Sequence, residues 1–357
     1  MQQPTNKHAD EKHYANPRSS STIPSTPSSR QQGLLSILPA PWAPYAELMR
    51  LDRPAGFYAF YIPYLIGLGY AACVADPIPS PTRLYTLSGI FFIGCIILRG
   101  AACAWNDNVD QEFDRKVARC QNRPIARGAI TTTQGHTFTA ALALAGAPLF
   151  LVLPVECSYY ALPITILFGA YALMKRVTNY PQVVLGFPFA CGILMSCAAL
   201  EVDALSEQLC LPTLGLFGAN VLWTMIYDTI YAHQDLKDDV KAGVSSMAVR
   251  FADNTKSLAS TLAVIQVGLF IVVGWQANFS LIYFLVTCGV SAIALGSMIA
   301  RVKLNEPASC AWFFHRGFWY VGGSILIGLF GEFFARSQRL EVLNSSAVIS
   351  NYLWGKT

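Results

Sequence analysis

The hydrophobic pattern of this chain is one of long blocks. Nine apolar stretches, at about 55–74, 84–105, 136–155, 158–174, 180–200, 209–227, 258–276, 279–300 and 316–335, alternate with polar connections. Each approaches the roughly 20 residues that a helix rising 1.5 Å per residue needs to cross a hydrocarbon core. The pattern predicts an all-α integral membrane protein, a bundle of nine transmembrane helices within a domain over residues 43–340. The connections are uneven. Some are as short as Glu156 to Cys157, whereas two of about 30 residues hold most of the charge.

Composition agrees with the blocks: 54% of the 357 residues are hydrophobic and 13% are charged, about half the charged share of a soluble globular chain. Residues 1–42 precede the domain as a tail, rich in Ser, Thr, Pro, Gln and Asn up to about residue 33, which reads as disordered. Residues 341–357 follow it as a short C-terminal tail. Lys and Arg crowd the N-terminal tail and every second connection, while the opposite side carries Arg83, Arg336, Arg339 and Lys356. The positive-inside bias therefore places the N-terminus and both long connections in the cytosol. The tail is not a signal peptide, and with only Arg18 and Arg30 beside Asp10 and Glu11 it lacks the character of a mitochondrial transit peptide. The expected location is the endoplasmic reticulum or Golgi, with the mitochondrial inner membrane as the lesser reading. The ten cysteines contain no CxxC pair and the five histidines are dispersed, so neither a disulfide framework nor a zinc site is signalled. The net charge of +4 follows loop topology and signals no nucleic acid. No obligate protein partner is evident.

The first long connection opens with "CAWNDNVDQEFDRKVARCQNRPIARG", Cys103 to Gly128. Asn106, Asp110 and Asp114 are spaced four and four, which on a helix makes one stripe, with Asp107 one step round. Like charges at that spacing repel, so the stripe calls for a cation. Hard oxygens in this array suit Mg²⁺, which keeps several waters and is completed by substrate phosphates. The second long connection, "YDTIYAHQDLKDDVKAG", follows the sixth block as the first follows the second. Asp235 and Asp239 are again four apart, Asp228 lies seven before Asp235 near the same face, and Asp238 is turned away. Two such stripes at one membrane face place metal ligands on both flanks of a diphosphate. Arg115, Lys116, Arg119, Arg123 and Lys237 are candidates for the remaining phosphate charge. A single DxxxD would be an ordinary solvated loop, but two at matching positions point to a site.

Arg99 lies inside the second block, seven residues before Asn106 and so about 10 Å deeper on the same face. An arginine within a membrane span defaults to a functional role facing a polar cavity, against a structural pairing within the bundle. Lys175 and Arg176, in "MKRVTNYPQVVLG", have few nearby acids and read either as membrane-edge anchors or as ligands for an anionic substrate.

These motifs resemble the UbiA-type membrane prenyltransferases, above all the branch that includes 4-hydroxybenzoate polyprenyltransferase. The match rests on "LMRLDRPAGFY", "LRGAACAWNDNVDQEFDRKVARCQNRPIARGAIT", "LMKRVTNYPQVVLG" and "LWTMIYDTIYAHQDLKDDVKAGVSSMAVRF", in that order, over roughly residues 46 to 260. The resemblance implies a nine-helix bundle with Mg²⁺ and a prenyl diphosphate between two Asp-rich motifs. It carries metal binding to Asn106, Asp110, Asp114, Asp235 and Asp239, the four aspartates of that set being the catalytic candidates. It places Lys175 and Arg176 on the substrate, with Arg176 suspected of holding the carboxylate of an aromatic acceptor. After "VVLG", members of the quinone pathway read close to TFNWGA, whereas this chain has "FPFACGI", with Ala190 and Cys191 where Asn and Trp would stand. That departure makes the pattern similar to the fungal meroterpenoid branch, which attaches farnesyl or a similar chain to polyketide-derived phenolic acids.

The expected activity is thus Mg²⁺-dependent prenyl transfer to a phenolic-acid polyketide, with membrane lipid around the bundle. The alternatives are a 4-hydroxybenzoate polyprenyltransferase of ubiquinone biosynthesis, a membrane terpene cyclase of the same fold and, from another class, a transporter. A transporter places its charged sites near the bilayer midplane at broken helices, whereas these acids follow the ends of spans.

Overall fold

A computed structural model describes residues 34–354, and all regular structure among them is helical. The tail expected over 1–42 lies outside the described residues up to residue 33. A short helix α1 (Ala43–Leu48) precedes the bundle proper, which runs α2 (Ala55–Val74), α3 (Pro81–Asp114), α4 (Thr132–Gly146), α5 (Glu156–Met174), α6 (Pro181–Ala199) and α7 (Cys210–Ala232). After the short α8 (Leu236–Ala242) and α9 (Met247–Phe251), the chain recrosses as α10 (Thr255–Gln276). The next span is α11 (Leu281–Tyr283) and α12 (Ser291–Arg301) joined by a π-helical turn at Phe284–Val290, and the last is α13 (Pro307–Trp312) and α14 (Phe318–Trp354) joined by another at Phe313–Gly317.

Among the described residues, eight helices are long and apolar enough to cross a membrane. The difference from the expected nine lies in the third block. There a capping box between Thr131 and Gln134 starts α4, but the α-helix has only 15 residues before Pro148 draws the chain into a 3₁₀ turn, Ala147–Leu151. A 3₁₀ turn rises about 2 Å per residue, so the two segments together still reach about 30 Å. The fold is therefore the expected membrane bundle, with its ninth crossing irregular.

The helices differ in what they face. α2 and α6 bury most of their surface and form the inner pair, while α4 and α5 lie at the outside of the bundle with few buried residues. The inner pair is in close contact: a Cβ on Gly67 would stand 2.7 Å from both the Ile193 Cα and the Ser196 Cβ, the small-residue approach by which membrane helices gain packing. Trp105 of α3 donates through Nε1 to the Gly169 carbonyl at 3.0 Å, pinning α3 to α5. At the end of the bundle away from the acidic motifs, Glu332 and Arg336 of α14 gather three other segments. Glu332 accepts from the Ser280 amide at 2.8 Å and from Arg336 Nε at 2.9 Å. Arg336 also donates to the carbonyls of Cys73, Ala277 and Asn278 at 2.9, 2.8 and 2.8 Å. Arg336 is thus built into the bundle, since α14 runs on through the stretch expected as a C-terminal tail as far as Trp354. All ten cysteines are free thiols.

Candidate active site

α3 continues two turns past its apolar block and ends at Asp114, so the first acidic motif stands on one unbroken helix as its spacing predicts. Its carboxylates already hold cations. Asp110 accepts from Lys175 Nζ at 2.8 Å. Asp114 accepts from Arg123 Nη1 at 2.8 Å, and Asp107 from the same nitrogen at 3.2 Å. Asp107 also takes both its oxygens to Arg50 Nη2, at 2.6 and 2.9 Å. Burial acts against the positive charge on Arg123, but Asp107 and Asp114 outweigh it and hold the guanidinium above the ordinary arginine range. Lys175 follows the same logic, burial lowering it and Asp110 more than reversing the effect.

The second motif departs from a straight helix. α7 stops at Ala232, and a 3₁₀ turn, His233–Asp235, re-aims the chain before α8, so Asp228, Asp235 and Asp239 stand on three successive pieces. Arg119 reaches over from the connection after α3. Its Nε donates to both Asp235 oxygens at 2.9 Å, and its guanidinium carbon lies 5.4 Å from the centre of the Tyr231 ring. The Ala118 amide donates to Asp238 at 3.3 Å. The two long connections are therefore tied to each other.

Both motifs line one cavity of about 970 Å³. Of the residues predicted from sequence, Arg99, Asn106, Asp107, Asp110, Asp114, Arg119, Arg123, Lys175, Asp228, Asp235 and Asp239 contribute to its wall. Arg115, Lys116, Arg176 and Lys237 do not. Arg115 donates to Gln111 and to the Ala126 carbonyl, at 3.1 and 3.2 Å, while Lys116 and Lys237 are exposed. Arg176, expected beside an acceptor, donates to the Val109 carbonyl and lies with its guanidinium carbon 5.2 Å from the centre of the Phe113 ring. Arg99 lines the cavity, yet its nitrogens go to the main chain: Nη1 to the Arg50 carbonyl at 3.0 Å and Nη2 to the Arg53 carbonyl at 2.6 Å. It fixes the turn whose Arg50, at φ +59°, grips Asp107.

Sequence reasoning passed over Arg50, Arg53, Tyr171, Gln182, His315 and Arg316, all on the cavity wall. Arg50 and Arg53 stand in "LMRLDRPAGFY", but an arginine before the first span looks like a membrane-edge anchor. His315 and Arg316 lie in the π-helical turn Phe313–Gly317, where a wide turn re-aims side chains, and no local spacing announces it.

The acidic wall fits a hard divalent cation on two observations. The Oδ1 atoms of Asn106 and Asp110, one helical turn apart, are buried with no hydrogen-bond partner. Among the described residues no three carboxylate, imidazole or thiolate groups converge into a closed shell. Mg²⁺ needs few protein ligands because it retains waters and takes phosphate oxygens, so this donor set suits it.

Residues 60–322 match the model of the UbiA prenyltransferase family. Over 277 residues the chain is 42% identical to the prenyltransferase ascA of Acremonium egyptiacum, covering 77% of this chain and 81% of that one. Over 284 residues it is 37% identical to the mitochondrial 4-hydroxybenzoate polyprenyltransferase of Saccharomyces cerevisiae, covering 79% and 74%. In structure it resembles a UbiA homologue from Archaeoglobus fulgidus bound to GPP and Mg²⁺, with a TM-score of 0.57 at 17% identity over 78% of this chain and 99% of that one. A helical membrane bundle with two paired acidic motifs on one cavity, and these matches across most of its length, make this chain a member of the UbiA prenyltransferase family and a membrane-bound enzyme that transfers prenyl groups.

Proposed function

We propose that this enzyme transfers a farnesyl group from its diphosphate to the ring of a phenolic-acid polyketide, in the biosynthesis of a meroterpenoid, with Mg²⁺ as cofactor. One observation carries the reading: Asp110, Asp114, Asp235 and Asp239 share a cavity whose inner wall is apolar and aromatic. Identity to ascA above that to the polyprenyltransferase supports the meroterpenoid branch. The Archaeoglobus fulgidus homologue, bound to GPP and Mg²⁺, supports the donor class and the metal. The basic bias of the connections that hold both motifs supports a cytosolic site on the endoplasmic reticulum or Golgi.

In this reading Asn106, Asp110 and Asp114 on one flank, with Asp235 and Asp239 on the other, hold Mg²⁺. When bound, the metal offsets charge that develops on the departing diphosphate. Lys175, Arg119 and Arg123 exchange their carboxylate partners for phosphate oxygens. As the donor C–O bond breaks, the electron pair leaves with the diphosphate, and the allylic cation is shielded from water beside Tyr171, which stands one turn from Lys175 and whose ring also favours a cation at its face. The acceptor ring supplies the electron pair for the new C–C bond, and loss of its ring proton to diphosphate or a motif acid restores aromaticity. On the cavity wall Arg316 has no carboxylate partner among the described residues, and its planar fork suits the carboxylate of a phenolic acid.

Asp110→Asn or Asp239→Asn is expected to lower turnover at least 100-fold while leaving the protein folded in membranes. Incubating membranes with farnesyl diphosphate and a panel of phenolic acids, and reading product masses, tests the activity. Near-normal turnover in both variants would remove the two-motif site. A product formed only from 4-hydroxybenzoate and a long polyprenyl donor would move the enzyme to the quinone pathway.

A further inference from the structure

We propose that Phe60, Phe168 and Phe189 form a floor that sets the length of the prenyl chain this enzyme accepts, an inference that rests on the donor class proposed above. The three rings come from α2, α5 and α6 and touch pairwise. Phe60 stacks on Phe168 at 5.0 Å between centroids and meets Phe189 edge-on at 4.9 Å, and Phe168 meets Phe189 edge-on at 5.4 Å. All three line the cavity, and on each of their helices no cavity residue lies deeper. One turn further in, Tyr64, Ile164 and Ile193 are buried in the core and do not reach the cavity. Three independent helices thus end the apolar half of the site at one level.

That level is measurable along the helices. Phe168 lies seven residues below Lys175, the cation on Asp110, and Phe189 lies seven below Gln182, which also lines the cavity. Each interval corresponds to about 10 Å of helix rise. With C–C bonds of about 1.5 Å, an extended isoprene unit spans on the order of 4–5 Å. Two units therefore reach the rings, a third has to turn along them, and a chain of six or more has no room inward. The floor favours donors of two or three isoprene units and rejects polyprenyl chains. Edge-to-face packing of the rings makes it stiff, because shifting one ring disturbs contacts with both others.

The test uses the full-length enzyme in detergent or nanodiscs with geranyl, farnesyl, geranylgeranyl and hexaprenyl diphosphates competing for one acceptor. The wild type is expected to lose tenfold or more in kcat/KM from farnesyl to geranylgeranyl, and more to hexaprenyl. Phe168→Ala should raise the geranylgeranyl-to-farnesyl ratio at least tenfold, and Phe168→Trp should shift preference towards geranyl. If Phe168→Ala does not fold, Phe60→Leu and Phe189→Leu read the same ratio. Thermal stabilisation by non-reacting thiolodiphosphate analogues of each length, with Mg²⁺, reads the floor without any acceptor. Absence of transfer with length-dependent stabilisation would count against the proposed reaction and uphold the floor. A wild type that uses or binds hexaprenyl as well as farnesyl, or folded variants with unchanged ratios, would overturn the floor.

Discussion

A guanidinium inside a membrane bundle has to find oxygen, and Arg99 finds it in the carbonyls of Arg50 and Arg53. Removing it takes the side-chain donor from the Arg53 carbonyl and one of two donors from the Arg50 carbonyl, which keeps the Arg53 amide, at about 0.5–1.5 kcal/mol for each bond, and frees the turn that presents Arg50 to Asp107. Arg99→Leu is therefore expected to lower both the melting temperature in detergent and the turnover of the folded fraction. Arg99→Lys should recover only part of each, since a single ammonium lacks the fork that spans two carbonyls. Retained turnover in folded Arg99→Leu would separate Arg99 from the site. The weight of this residue was legible in the sequence because charge within an apolar block is costly. Its partners were not, because main-chain carbonyls leave no mark in the choice of side chain. Arg176 taught the same lesson in reverse: a basic residue at a family motif announced a ligand, while its guanidinium lies on Val109 and Phe113.

Individual helices were legible where length and composition decide them, and less so where backbone geometry does. The spacing of Asn106, Asp110 and Asp114 holds because α3 is continuous to Asp114. The spacing from Asp228 to Asp235 assumed a helix that breaks at a 3₁₀ turn, and the third span shortened at a proline within an apolar run. The last helix offers a clean test. Glu332 is 1% exposed, and its carboxyl oxygens are held by Arg336 and Ser280. Arg336→Met leaves that carboxylate unpaired and is expected to cost about 3–5 kcal/mol. Glu332→Gln combined with Arg336→Met should restore part of the loss. Because the pair sits at the end of the bundle remote from the acidic motifs, kcat of the surviving folded enzyme should stay unchanged. A drop in kcat without loss of stability would show that the clamp reaches the site.

Across the whole molecule, most of the motif carboxylates are already paired within the chain, whereas Asp228 and Asp239 form no ion pair among the described residues. Lys175 faces Asp110, Arg123 faces Asp114 and Asp107, and Arg119 faces Asp235. For these paired groups, binding donor and metal is then an exchange of one charged partner for another. Thermal unfolding of the purified enzyme is accordingly expected to change little on adding EDTA. A non-reacting farnesyl analogue with Mg²⁺ should raise the melting temperature, by an amount that grows with the logarithm of ligand concentration. A large destabilisation by EDTA alone would show that the acids depend on metal to fold. The same pairing bears on how the protein is made. A ribosome threading this chain into a bilayer delivers α3 well before α7, and the newborn first motif meets its own arginines and lysine along the way. The enzyme can thus be inserted, assembled and held in reserve before any substrate reaches it, its biogenesis uncoupled from the metabolite supply it will later serve.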